Sequence, residues 1–190
     1  MKPETTDRRS QRTRKSLSEA LIALMLEKRY DKITVQDIIE RANVGRSTFY
    51  SHCRDKEDLL VGNFEHVLDA FSQHFDQGHA MSVVALFRHA QEYHPVYETL
   101  VWGRGIELLY KQGQAFLCRR IEADLASLLP PGEQPAVPLS ILSTYVAGTL
   151  VTVLRWWLDH KMPYPPERMD EIFHQLIMPT LEAALPPVKR

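Results

Sequence analysis

Between Thr34 and His52 the sequence writes two short amphipathic helices on either side of a three-residue turn, and nothing else in the chain limits its fold as strongly. Thr34 stands three residues before Asp37. At that spacing an N-cap hydroxyl and a carboxylate each satisfy an otherwise orphaned backbone N–H of the other. Val35, Ile38, Ile39 and Ala42 then form one apolar helical face. Asn43 closes the helix, because asparagine tolerates the left-handed backbone that a helix end wants. Gly45 opens a second helix over 46–52, with Phe49 turned inward. The connection Asn43-Val44-Gly45 has the length of the turn in a helix-turn-helix.

The surroundings extend this pattern. A first helix is expected over 11–29, with Leu17, Ala20, Leu21, Leu24 and Met25 on one face, and Tyr30-Asp31-Lys32 breaks it. Residues 1–10 are polar and lack periodicity, so they read as a flexible arm. Asp55 caps a fourth helix from Lys56 to about Asp76. Further helices are expected near 80–94, 96–102, 105–129, 138–161 and 166–185, separated by prolines, with a loop at 130–137. Pro179 should kink the last helix or end it early. No period-2 strand and no internal repeat interrupts the series. The expected fold class is all-α: an N-terminal three-helix helix-turn-helix DNA-binding domain over 11–55, and a C-terminal helical bundle over 56–190 that dimerises.

Charge supports a polyanionic partner for the head. Residues 1–56 hold thirteen Lys/Arg against eight Asp/Glu, a net of +5, while the remainder nets −6, which gives −1 overall. A basic head on an acidic body is the footprint of nucleic-acid contact. The two cysteines, Cys53 and Cys118, are too few for a disulfide framework and fit a reducing compartment. The apolar run at 17–26 contains Glu19 and ends in Glu27-Lys28-Arg29, so it reads as a helix and not as an export signal. The run at 145–158 carries Thr149, Thr152 and Arg155 and falls short of the ~20 residues of a membrane span. A cytoplasmic protein with no membrane partner is therefore expected.

In a helix-turn-helix the second helix enters the major groove, and its first side chains meet base edges. Those are Arg46 and Ser47 here: arginine bonds bidentately to guanine, and serine donates or accepts. Thr48, Tyr50, His52 and Lys56 carry the donors that grip phosphates, and Lys56 also begins a helix whose free N–H groups favour an anion. Thr34 and Gln36 start the motif's first helix, within reach of backbone or a flanking base. Pattern alone leaves two readings open, a DNA reader or two packed helices with an exposed phenol.

The string Thr-Val-Gln-Asp-Ile-Ile-Glu-Arg-Ala-Asn-Val-Gly-Arg-Ser-Thr-Phe-Tyr-Ser-His-Cys-Arg-Asp-Lys-Glu-Asp-Leu-Leu at 34–60, with the helix before it, resembles the N-terminal domain of TetR-family transcriptional regulators. The resemblance covers 13–60, about a quarter of the chain. It implies that Arg46, Ser47 and Ser51 face bases, that Thr48, His52 and Lys56 contact phosphate, and that Tyr50 packs or contacts phosphate. It also implies a homodimer on double-stranded operator DNA shaped as an approximate inverted repeat. A repressor released by a small-molecule effector is the family's usual mode. The chain departs from the family with Asn43 where glycine is usual, Gly45 where a serine-like cap is usual, and Cys53 where an aromatic is usual.

The C-terminal part adds its own pattern. The helix at 141–158 is apolar nearly all round and the last helix carries a one-sided apolar stripe. Leu142, Val146, Leu150, Leu154, Ile172, Phe173, Leu176 and Ile177 are therefore expected to form the dimer interface. Upstream aromatics serve equally as plain core or as the lining of a pocket between helices. The candidate effector pocket takes Phe71, Phe75, Trp102 and Tyr110, with His89 or Arg104 as polar anchor. No His-Glu-x-x-His or Cys-x-x-Cys spacing accompanies the histidines, and no nucleophile elbow or phosphate loop is present. No metal, cofactor or catalytic residue is expected, and the chain does not read as an enzyme.

Overall fold

The computed structural model describes residues 4–72, 82–101, 104–130 and 132–186. Among them are nine α-helices, one short 3-10 turn and no strand. The helices are α1 (Glu4–Glu27), α2 (Val35–Ala42), α3 (Arg46–His52), α4 (Lys56–Ser72), α5 (Val84–Glu92), α6 (His94–Val101), α7 (Arg104–Leu128), α8 (Leu139–Asp159) and α9 (Pro166–Ala184).

The chain forms two compact units, residues 1–66 with 93–109 and residues 67–92 with 110–190. The head expected over 11–55 lies wholly inside the first. There α1 packs against α2, α3 and α6. Its stripe Leu17, Leu21, Leu24 and Met25 meets Ile38, Ile39, Phe49 and Leu59, all buried. Tyr30 and Ile33, from the turn that breaks the helix, complete this core.

One expectation for the head needs correction. Residues 4–10 are not an arm but the opening turns of α1. Apolar periodicity reports only where a helix meets a core, and this part meets none. Residues 4–15 contain no apolar side chain. Local propensity carries them instead, since Arg, Gln and Lys favour the helix.

In the second unit α9 packs on both α5 and α8. The carboxylate of Asp170 on α9 caps α5 from outside, accepting from the Val83 backbone N–H at 2.6 Å and from the Ser82 hydroxyl at 3.3 Å. Pro179 does not end α9, which continues to Ala184. There the Ala184 carbonyl accepts from the Ala136 N–H at 2.8 Å and ties down the loop before α8. α8 begins at Leu139 and runs 21 residues, longer than its central apolar run, so by length and composition alone it reaches what a membrane span requires. Nor is it buried all round. Leu142, Val146, Leu150, Leu154 and Trp157 are enclosed by the chain itself, whereas Ile141, Tyr145 and Trp156 are exposed.

Candidate nucleic-acid interface

The local chemistry of α2 and α3 follows the sequence closely. Thr34 caps α2 with a complete capping box: its backbone N–H donates to Asp37 Oδ2 at 2.7 Å, and its Oγ1 accepts from the Asp37 N–H at 3.2 Å. The Lys28 ammonium adds an ion pair to Asp37 at 2.9 Å. Donation from the Thr34 backbone, then from Lys28 and the Thr34 hydroxyl, draws the Asp37 carboxyl down to about 2. On the same helix the Arg41 guanidinium holds the Glu27 carboxylate of α1 with both oxygens, at 2.9 and 2.6 Å. These contacts fix α2 on α1.

Asn43 ends α2 with φ 51° and ψ 49°, the left-handed conformation expected of it. Gly45 then caps α3 without a side-chain bond, at an ordinary φ of −73°. A Cβ there would meet Ser47 and Thr48 only at van der Waals distance, so this glycine is not demanded by space or by backbone. Phe49 is fully buried and pins α3 to the core. Cys53 closes α3 from within the core, and burial raises its thiol above the ordinary range.

With Phe49 inward, α3 turns Arg46, Ser47, Tyr50 and Ser51 to the surface and leaves Thr48 and His52 half-buried at its edges. The Tyr50 ring meets Phe49 edge-on with centroids 5.3 Å apart, and the Arg46 guanidinium lies 5.9 Å above the Tyr50 ring. The Ser51 hydroxyl donates to the Thr48 carbonyl at 2.7 Å. Thr34, at the start of α2, and Gln36 on it are exposed as well. The Thr34 hydroxyl, however, also donates to Asp37 at 2.8 Å, and the Gln36 amide donates to Glu40 at 2.6 Å. Both side chains have work inside the head.

Lys56 departs further from expectation. Its ammonium donates to the backbone carbonyls of Tyr30 at 3.0 Å and Ile33 at 2.8 Å, and it lies 4.5 Å above the Tyr30 ring. Two of its three N–H donors are thus spent tying the start of α4 to the turn before α2. Asp55 caps α4 as expected, accepting from the Asp58 N–H at 2.7 Å. What sequence reasoning missed in this unit is a run of exposed cations on α1, including Arg8, Arg9 and Arg12. Their charge was plain in the sequence, and Arg12 fell within the helix expected over 11–29, but the helical order of Arg8 and Arg9 did not show.

The other expected sites lie in different parts of the chain. Six of the eight interface residues, Leu142, Val146, Leu150, Leu154, Phe173 and Ile177, are buried within a single chain. Their apolar stripes face each other across α8 and α9, so they have no surface left for a second subunit. Ile172 is half-buried and Leu176 is 48% exposed. The large apolar side chains at the surface of α8 are Ile141 at 60%, Tyr145 at 44% and Trp156 at 43%. Of the effector-pocket candidates, Phe75 and Trp102 lie outside the described residues. Phe71 and Arg104 are placed on α4 and α7 by their backbone alone. His89 on α5 is half-buried, and burial lowers its imidazole below the ordinary value. Tyr110 on α7 lies under the Arg155 guanidinium at 5.4 Å. Its hydroxyl is pushed up to about 12, first by burial and then by Asp159. Among the described residues no three His, Cys, Asp or Glu side chains gather as a metal site.

Comparison with known proteins agrees with the head and extends the likeness over the body. Residues 17–62 match the family of bacterial regulatory proteins of the tetR type, and residues 81–179 match that of the transcriptional regulator C-terminal region. The chain is 27% identical to an uncharacterized HTH-type transcriptional regulator, YxbF, of Bacillus subtilis (strain 168), over 93% of its own length. It spans about half the length of that relative, 47%. Among solved structures, a TetR transcriptional regulator from Streptococcus agalactiae 2603V is 28% identical, with a TM-score of 0.59 over 92% of this chain and 98% of the other. The RolR structure in complex with resorcinol shares the fold at 21% identity, with a TM-score of 0.58 over 96% and 100% of the two chains. The chain belongs to the TetR family of transcriptional regulators.

Proposed function

We propose that this regulator reads operator DNA through α3 as a two-fold homodimer, and that a small-molecule effector bound by its body releases it, so that it acts as a repressor. The observation that carries the reading is the surface of α3. Arg46, Ser47, Tyr50 and Ser51 share one exposed face, while Phe49 on the opposite side fixes the helix to the core. Arg46 and Ser47 stand in the first turn, where a groove-bound helix meets base edges. Ser51 follows one turn later, and Tyr50, Thr48 and His52 address the phosphate walls. Thr34 and Gln36 flank them from α2. Residues 11–55 are the DNA-binding head, and residues 56–190 are the sensing and dimerising body.

The partner subunit would cover the exposed apolar residues of α8 and α9, namely Ile141, Tyr145, Trp156 and Leu176 with Ile172 beside them. The effector, a mainly apolar molecule, would be bound by the second unit, where His89 and Tyr110 are its candidate contacts. The resorcinol complex of RolR, an aromatic ligand on the same fold, supports that class of ligand. Regulator and operator meet in the cytoplasm. The test is selection of bound sequences from random duplex DNA by the purified protein. An approximate inverted repeat is the expected product. A pool that stays random after repeated rounds overturns the reading.

A further inference from the structure

We propose that the opening turns of α1 form a second DNA contact, in which Arg8, Arg9 and Arg12 grip phosphates at the flank of the site read by α3. The inference rests on the DNA-reading function proposed above.

Over 8–15 the chain carries five cations and neither Asp nor Glu. The segment is helical, and all five, Arg8, Arg9, Arg12, Arg14 and Lys15, are exposed. A helix segment with no apolar face gains nothing from a core of its own, and an exposed cationic one attracts a polyanion. Two of the five already have neighbours in the head. Lys15 pairs with Glu19 at 3.7 Å. The Arg14 guanidinium lies over Gly62 of α4, 2.9 Å from where a Cβ would stand.

The position of Arg14 places the remaining three relative to α3. Its charge acts on both Asp58 and Cys53, and Cys53 is the residue that ends α3. α1 packs directly on α3, and Arg14 lies beside the second turn of α4, the helix that follows it. With a rise of ~1.5 Å per residue, Arg12, Arg9 and Arg8 stand about 3, 7.5 and 9 Å further along the axis. The major groove is about 12 Å wide, so a helix lying in it brings its ends towards the sugar-phosphate walls. Exposed cations on α1, which packs on α3 from outside the groove, would then meet the backbone and not the bases. Arginine suits that task, because its planar fork takes two phosphate oxygens at once.

The experiment compares the wild type with two triple variants on the operator recovered by selection, across a series of KCl concentrations. One variant is Arg8→Ala, Arg9→Ala and Arg12→Ala, and the other places Lys at the same three positions. All three positions are exposed and outside the core, so the melting curves should coincide. Each neutralised phosphate contributes a log–log salt slope of about −0.9. The alanine variant should bind more weakly, with a slope shallower by about 5, since each of the two heads loses three arginines, and should select the same sequence as the wild type. The lysine variant should keep most of the slope. An alanine variant with unchanged slope overturns the proposal, as does one whose selected sequence changes, since that would mean base contacts. Wild-type protein that selects no sequence defeats the parent reading and this one with it, and that failure is visible before any variant is compared.

Discussion

At the scale of single residues the head divides between side chains that the proposed reading turns to DNA and side chains that hold α3 in place. Arg46→Ala should relax preference at one base pair in each half-site at a cost of about 1–3 kcal/mol, measured by repeating the selection. Lys56→Ala belongs to the other group. It removes the ammonium from the Tyr30 and Ile33 carbonyls. The fold should lose about 1–3 kcal/mol in urea denaturation, whether or not DNA is present. A variant that weakens DNA binding while melting like the wild type would return Lys56 to the phosphate contacts. Thr34→Ala opens the capping box and should cost about 1 kcal/mol. Asp37 gives that box a pH dependence of known sign. Its carboxyl ionises at about 2 in the fold against an ordinary 3.8. The native state thus favours the charged form. Its contribution is complete above pH ~4 and disappears as the pH falls towards 2. Stability curves of wild type and Asp37→Asn should converge over that window, and curves that stay parallel down to pH 2 would contradict the assignment.

At the scale of elements, what could be read in advance depended on whether a segment carried its own signal. α2 and α3 were legible almost to the residue, because Thr34, Asp37, Asn43 and Gly45 mark their ends chemically. The start of α1 was not, because a solvated polar helix has no periodicity to display. The α8–α9 pair was half legible. Apolar stripes state that a surface is buried but not by what, and here the chain itself buries the stripe of α8 that was expected to meet a second subunit. Two substitutions three residues apart separate these roles. Phe173→Glu puts a charge into the interior of one chain and should prevent folding, seen as loss of the helical circular dichroism signal. Leu176→Glu changes a side chain that is half exposed in the single chain. It should leave the helices intact and convert the dimer to monomer, as light scattering would show. A folded dimer in the Leu176→Glu protein would move the interface elsewhere.

At the scale of the whole molecule, the proposed sensing and DNA reading share one chain, and α4 begins in the first compact unit and ends in the second. An effector that prefers the DNA-incompetent arrangement must weaken operator binding, and operator must weaken effector binding by the same factor, typically ~1–3 kcal/mol. Calorimetric titration of effector with and without operator measures both halves of that cycle, and unequal factors would exclude a simple two-state regulator. The reading helix itself is seven residues long and has no side-chain cap at its start. A helix that short does not persist alone in water. Its shape is lent by the core beneath Phe49, so the recognition surface exists only while that core is intact. In the proposed repressor, small losses of core packing away from α3, at Leu21 or Ile38 for instance, would then be felt in a cell as heat-sensitive alleles: genes silent at low temperature and expressed a few degrees higher, with every side chain proposed to contact DNA unchanged.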